Sequence, residues 1–291
     1  MFQGVLPALT TPFTADGKID REGLKRNIEF VENGGVSGVV TCGTTGESAT
    51  LSIKEHEELI DLTIEYASVP VIAGTGSNNT AEAIELTKYA ANAGADGALV
   101  ISPYYNKPNP EGLIRHFKAI AASVDIPILL YNVPSRTGQD MSLEVITELA
   151  KVSNIVGIKE ASGSIPKVTR ILEETADEEF IVFSGEDDLI FPIVALGGVG
   201  VISVVADVAP AKTVELVKAT QLGDFETAKK LHFELAPLIR QLFAETNPIP
   251  VKRAMEIMGL AAGPLRLPLA PLSPENEKNL VEALRNAGCL E

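Results

Sequence analysis

The stretch IVGIKEASGS, residues 155–164, opens with a mostly apolar run, carries one lysine and one glutamate, and ends in small residues. It reads as a strand passing into a loop. Its near-continuous apolar character marks a strand covered on both faces, as in a parallel sheet between helices. The same reading puts the ammonium group of Lys159 in an otherwise dry segment, where a charge is costly unless paired or neutralised.

Seven similar runs flank this one. GVLPALTTPF from Gly4, VSGVVTCG from Val36, VPVIAGTG from Val69, GALVISP from Gly97 and IPILLYN from Ile126 precede it, and FIVFSGE from Phe180 and GVGVISV from Gly198 follow. Along the first six runs the starts lie roughly 28 to 33 residues apart, one strand–loop–helix–loop unit each. Helical patterns such as SIKEHEELIDLTIEYA and TAEAIELTKYAANAG fill the intervals. The first opens with the capping-box spacing of Ser52 and Glu55, and the second ends at Gly94, a C-cap residue type.

Eight such units over roughly 220 residues predict an α/β fold, a (β/α)8 TIM barrel, for residues 1–223, with the catalytic apparatus in it. An open doubly wound sheet is the structural alternative, but G-x-G-x-x-G does not follow the first strand. Beyond residue 223 the strands stop. DFETAKKLHFELAPLIRQLFAE, PIPVKRAMEIMG and SPENEKNLVEALRNAG predict a C-terminal three-helix appendage, residues 224–291.

The 291 residues are 45% hydrophobic and 22% charged, with a formal net charge of −15, which suits a globular protein able to bury a large core. That charge and the lack of a basic run argue against a nucleic-acid partner. Cys42 and Cys289 have neither metal-type spacing nor a disulfide framework, which points to a reducing, cytoplasmic setting. MFQGVLPALT has no basic n-region or small-residue cleavage site of a signal peptide. The uncharged stretch at 189–206 is interrupted by Pro192, Gly197, Gly198 and Gly200, and is read as a buried helix, a turn and a strand, with no membrane association.

In barrel enzymes the chemistry lies at the C-terminal strand ends. Here those ends are GTTGES (Gly43–Ser48), SPYYNKP (Ser102–Pro108), YNVPSRTG (Tyr131–Gly138), Lys159, SGEDD and GVISV. A lysine in a dry pocket favours its neutral amine, which can attack a carbonyl to form a Schiff base. Tyr131, one strand away, offers a phenol for proton relay. The GTT loop offers N–H groups and two hydroxyls for a carboxylate, and Arg136 a planar fork for another. Each has a plainer role when taken singly: an ion-paired lysine, a tight turn with a helix cap, a surface arginine. Asp187 and Asp188 are read as structural acids in the first turn of a helix. His56, His116 and His232 fall on separate predicted helices, so no metal site is expected.

GTTGES, YNVPSRTG, GIKEASG and NPIPVK, in this order, resemble the dihydrodipicolinate synthase family of pyruvate-dependent class I aldolases, whose superfamily also contains N-acetylneuraminate lyase. The resemblance runs from about Gly4 to the C-terminus. It implies that Lys159 forms the pyruvate Schiff base, without a cofactor. Tyr131, Thr44 and Tyr105 would form a proton relay, Tyr105 reaching the site of a neighbouring subunit. Thr45 and Ile202 would help hold pyruvate, Gly185 would line the site, and Arg136 would guide the carboxylate of aspartate semialdehyde. The enamine would attack that aldehyde, and the substrate amine would displace Lys159 by cyclising, in the first committed step of diaminopimelate and lysine biosynthesis. Asn247 in NPIPVK is placed near the entrance. A homotetramer, a dimer of dimers, is likewise implied.

Relatives inhibited by lysine bind it at a subunit interface, and the matching positions are Ser48, Ala49, His56, Asn78, Glu82 and Tyr104; Ile53 departs from the second histidine often found there. The alternatives are another pyruvate-dependent aldolase, acting on a 2-keto-3-deoxy sugar acid or on neuraminate, and a binding protein on an inactivated barrel. The joint presence of the lysine, the tyrosine and the threonine pair disfavours the last.

Overall fold

The computed structural model describes residues 2–290. Eight strands run in parallel: β1 (Gly4–Pro7), β2 (Val39–Thr41), β3 (Val71–Gly74), β4 (Gly97–Ile101), β5 (Ile128–Asn132), β6 (Ile155–Glu160), β7 (Ile181–Ser184) and β8 (Gly200–Ser203). From β2 to β8 each strand pairs with the next in sequence, and β8 pairs with β1. The seam between β1 and β2 is closed by a parallel bridge from Ala8 to Val40 and by Ser37 N–H donating to the Val5 carbonyl at 2.9 Å. The sheet is therefore the barrel expected from the eight apolar runs.

Helices α1 (Arg21–Asn33), α2 (Ile53–Tyr66), α3 (Thr80–Ala93) and α4 (Pro110–Ala121) cover the first half. The one-turn α5 (Pro134–Thr137), then α6 (Leu143–Ala150), α7 (Ile165–Glu174), α8 (Ile190–Ala195) and α9 (Pro210–Gln221), complete the ring. Local chemistry sets their ends. Ser52 and Glu55 form the full capping box of α2, and α3 stops at Gly94, whose φ of 99° is left-handed.

The barrel interior is filled by Leu6, Val40, Ile72, Leu99, Leu129, Phe183 and Ile202, with Tyr131 and Ala161 at its upper end. It is a packed core, not a pore, so a ligand can lodge only at the mouth. The stretch at 189–206 resolves into α8, a glycine turn and β8. Gly200 has a φ of 154°, and a Cβ there would overlap the Gly4 carbonyl, so glycine is what lets β8 lie against β1.

Three further helices follow: α10 (Phe225–Leu242), α11 (Ile249–Ile257) and α12 (Pro274–Asn286). Leu235, Leu238 and Leu242 of α10, Val251 and Met255 of α11, and Leu280 and Leu284 of α12 belong to the same core as Val205 and Val208 beyond β8. The segment from Asn247 to Arg266 crosses the barrel mouth and meets the loop after β2.

Candidate active site

Register places the two central groups side by side. Lys159 on β6 pairs with Tyr131 on β5, so their side chains leave the sheet at the same level and on the same face. Lys159 is 6% exposed, and its Nζ lies 4.5 Å from the centroid of the Tyr131 ring. Both line a cavity of about 160 Å³ at the barrel mouth, with Thr44, Thr45, Arg136, Gly185, Glu186 and Asn247.

The loop after β2 is held from several sides. Cys42 and Glu47, which bracket Gly43–Gly46, adopt left-handed φ values of 54° and 56°, each costing about 1–3 kcal/mol for a residue with a side chain. Thr11 Oγ1 donates to the Gly46 carbonyl at 2.6 Å. Glu47 is buried and accepts from Lys252 Nζ at 2.7 Å and from Arg266 N–H at 3.0 Å. Thr45 Oγ1 accepts from Asn247 Nδ2 at 2.9 Å, while the Asn247 carbonyl accepts from the Arg136 guanidinium at 3.1 Å. One residue of the C-terminal segment thus touches both groups expected to hold carboxylates. Burial lowers the proton affinity of the Lys252 ammonium, and the Glu47 carboxylate beside it opposes that shift.

Gly185 follows β7. A Cβ there would stand 2.6 Å from Ala161 Cβ and 3.1 Å from Lys159 Cε, so any side chain would press on the lysine stem. The next residue, Glu186, also lines the cavity, and burial raises its carboxyl to about 7, helped by Asp188 and Asp187 and opposed by Lys159 and Arg136. The sequence reading passed over Glu186. Its position directly after a barrel strand was the available signal.

Asp187 has a structural role, as expected, but not by capping its own helix. Its buried Oδ2 accepts the N–H groups of Val204 and Val205, at 3.0 and 2.8 Å, and so fixes the exit of β8. Asp207 is also buried. Burial holds its carboxyl well above the ordinary range, and the charge of Asp187 adds to this. Burial likewise pushes the Cys42 thiol up to about 12, which leaves it inert as a nucleophile.

Other expected residues fall in different places. Ile202 packs inside the barrel beside Tyr131, and Val204, two residues on, lines the cavity. Tyr105, at φ 71°, is 90% exposed on the loop after β4 and does not line the cavity of its own chain. Ser48, Ala49, His56, Glu82 and Tyr104 line a second cavity, of about 400 Å³, which shares Thr44, Tyr131, Arg136 and Asn247 with the first. Asn78 stands beside them, its Nδ2 donating to the Tyr104 carbonyl at 3.1 Å. A His56 ring nitrogen lies 2.8 Å from the Gly74 carbonyl, and burial lowers the proton affinity of that imidazole. Among the described residues, no group of three or more His, Cys, Asp or Glu side chains is placed to hold a metal ion, and no helix is long and apolar enough to cross a membrane.

Comparison with known proteins gives one consistent result. The model of the "Dihydrodipicolinate synthetase family" matches residues 1–287. A 4-hydroxy-tetrahydrodipicolinate synthase from Methanosarcina barkeri is 66% identical over 291 residues, the whole of both chains. The dihydrodipicolinate synthase of Aquifex aeolicus is 46% identical with a TM-score of 0.96, covering 99% of each chain. The Cyanidioschyzon merolae enzyme, solved with lysine bound, is 40% identical with a TM-score of 0.96, also over 99% of each chain.

Proposed function

The chain belongs to the dihydrodipicolinate synthetase family, and from that premise we propose how its residues divide the work of the reaction. The activity is that of a 4-hydroxy-tetrahydrodipicolinate synthase, a carbon–carbon lyase/synthase of the class I aldolase type. It condenses pyruvate with L-aspartate 4-semialdehyde in diaminopimelate and lysine biosynthesis. The sugar-acid and neuraminate alternatives are not favoured by full-length relatives of this name.

Lys159 Nζ attacks the keto carbon of pyruvate, and loss of water leaves an iminium. The iminium withdraws electrons, so the methyl group loses a proton and becomes an enamine carbon. Tyr131 and Thr44 carry protons between the reacting atoms and solvent. The Thr45 hydroxyl and the loop N–H groups hold the pyruvate carboxylate, Ile202 and Gly185 shape its surroundings, and Arg136 orients the carboxylate of the second substrate. Attack of the enamine on the aldehyde forms the new C–C bond. The substrate nitrogen then closes the ring and releases Lys159. The observation that carries this reading is the buried Lys159 Nζ 4.5 Å from the centroid of the Tyr131 ring, in a cavity that Thr44 and Thr45 also line.

The test is borohydride reduction in the presence of pyruvate, followed by peptide mapping. A pyruvate-derived mass on Lys159 supports the assignment; folded protein without an adduct overturns it.

Three further assignments go with this reading. Barrel residues 1–223 and helical residues 224–291 work as one catalytic unit in the cytoplasm. Tyr105, too exposed to serve its own chain, completes the relay of a neighbouring subunit in a dimer of dimers, which sedimentation and a Tyr105→Phe variant test. Lysine binds in the second cavity, with Glu82 and Asn78 holding its polar groups and Ser48, Ala49, His56 and Tyr104 around it. Activity unaffected by millimolar lysine would remove that last assignment.

A further inference from the structure

We propose that Glu186 binds the ammonium group of the amino-aldehyde acceptor, opposite Arg136, and takes its proton when that nitrogen displaces Lys159. The inference rests on the Schiff-base reading above and adds the residue that recognises the acceptor's third functional group.

An α-amino acid aldehyde carries three handles: an aldehyde, a carboxylate and an ammonium. Lys159 supplies the nucleophilic carbon for the first and Arg136 a guanidinium for the second. Among the residues lining the cavity that holds Lys159, Glu186 is the one carboxylate. Its neighbours are otherwise committed: Asp187 is buried on the Val204 and Val205 N–H groups, and Asp188 lies exposed outside the lining. The Glu186 main chain is fixed by Ser184, whose Oγ donates to the Glu186 carbonyl at 2.7 Å and accepts from its N–H at 3.2 Å. The side chain is left free for a ligand, with no hydrogen bond or ion pair to its carboxylate among the described residues. A carboxyl raised to about 7 accepts a proton and returns it to solvent near neutral pH, which an ordinary surface glutamate does less well.

The step balances without a co-reactant. Glu186 accepts one proton from the ammonium, and the freed lone pair attacks the iminium carbon, forming a C–N bond. A proton passes from that nitrogen to the Lys159 nitrogen. The C–N bond to Lys159 then breaks with its electron pair remaining on Nζ, leaving a cyclic iminium, and Glu186 gives its proton to solvent. An acceptor without an amine can form the C–C bond but cannot release the lysine this way.

The experiment compares wild-type enzyme with Glu186→Gln and Glu186→Asp, using aspartate semialdehyde and its amine-free analogue succinic semialdehyde. Borohydride trapping on Lys159 is read by mass. In Glu186→Gln, kcat/KM with aspartate semialdehyde should fall about 100-fold or more, the low end of general-base effects. The pyruvate adduct should still form, and the heavier condensed adduct should accumulate on Lys159. Glu186→Asp, which keeps a carboxylate, should recover most of the loss, and trapping of the succinic semialdehyde adduct should be unchanged in both variants. Retained activity in Glu186→Gln, or equal loss of trapping with both acceptors, overturns the proposal. Wild-type enzyme that traps no pyruvate overturns the Schiff-base reading, and this inference with it.

Discussion

Lys252 on α11 donates to Glu47 in the loop after β2 at 2.7 Å, with the two side chains 2% and 0% exposed. A fully buried pair of this kind contributes little net stability over an apolar pair, but breaking it leaves one charge stranded. Here the stranded charge would sit at the end of the loop that carries Thr44 and Thr45.

Lys252→Met is therefore expected to destabilise the protein by roughly 3–5 kcal/mol, and Glu47→Gln added to it to recover part of the loss. Chemical denaturation of the two variants and the wild type checks this. A loss below about 1 kcal/mol in the single variant would show that the loop does not depend on the pair.

Asn247→Ala removes the bond to Thr45 Oγ1 but leaves the main-chain carbonyl on Arg136. One hydrogen bond of about 1 kcal/mol should then be lost from the side that holds pyruvate. The expected result is a rise of about five-fold in the KM for pyruvate, with a smaller change for the acceptor. Steady-state kinetics with each substrate varied in turn decides it.

Gly185→Ala places a methyl group 3.1 Å from Lys159 Cε, so the amine must move. Displacing a nucleophile by a fraction of an ångström to an ångström costs up to about 100-fold in rate. The variant should lose activity on that order, and the 2.6 Å clash with Ala161 Cβ should lower its melting temperature as well. Unchanged kcat would show that the lysine stem shifts without penalty.

Asp207 gives a pH prediction with a definite sign. Burial, then the charge of Asp187, holds its folded-state carboxyl well above the ordinary value. The folded protein therefore keeps a proton that the unfolded chain has released, and the stability this contributes is complete below about pH 4 and is lost as pH rises toward the folded pKa. Asp207→Asn, which cannot ionise, should raise Tm at neutral pH and flatten the decline from about pH 4 upward. A parallel pH profile in wild type and variant would rule this out.

The barrel was legible because burial of both sheet faces writes itself into each strand as an apolar run. Lys159 and Tyr131 were legible because adjacent strand ends bring them together at matching register. The Lys252–Glu47 and Asn247–Thr45 contacts were not, since their partners stand 205 and 202 residues apart and no periodicity links them. Glu186 was hidden by its company: an acid run before a helix suggests dipole capping, and only the fold separates the residue facing the cavity from the one that pins β8.

The clamp across the barrel mouth also fixes when the enzyme becomes an enzyme. During synthesis, Thr44, Tyr131, Arg136 and Lys159 leave the ribosome well before Asn247, Lys252 and Arg266, and the loop carrying Thr44 stays unbraced until those residues arrive. Such long-range closures come late and slowly in folding. The nascent chain thus carries its reactive amine through the whole stretch from Lys159 to Arg266 without a finished pocket around it, and competence arrives only once α11 and the segment that follows it have been made.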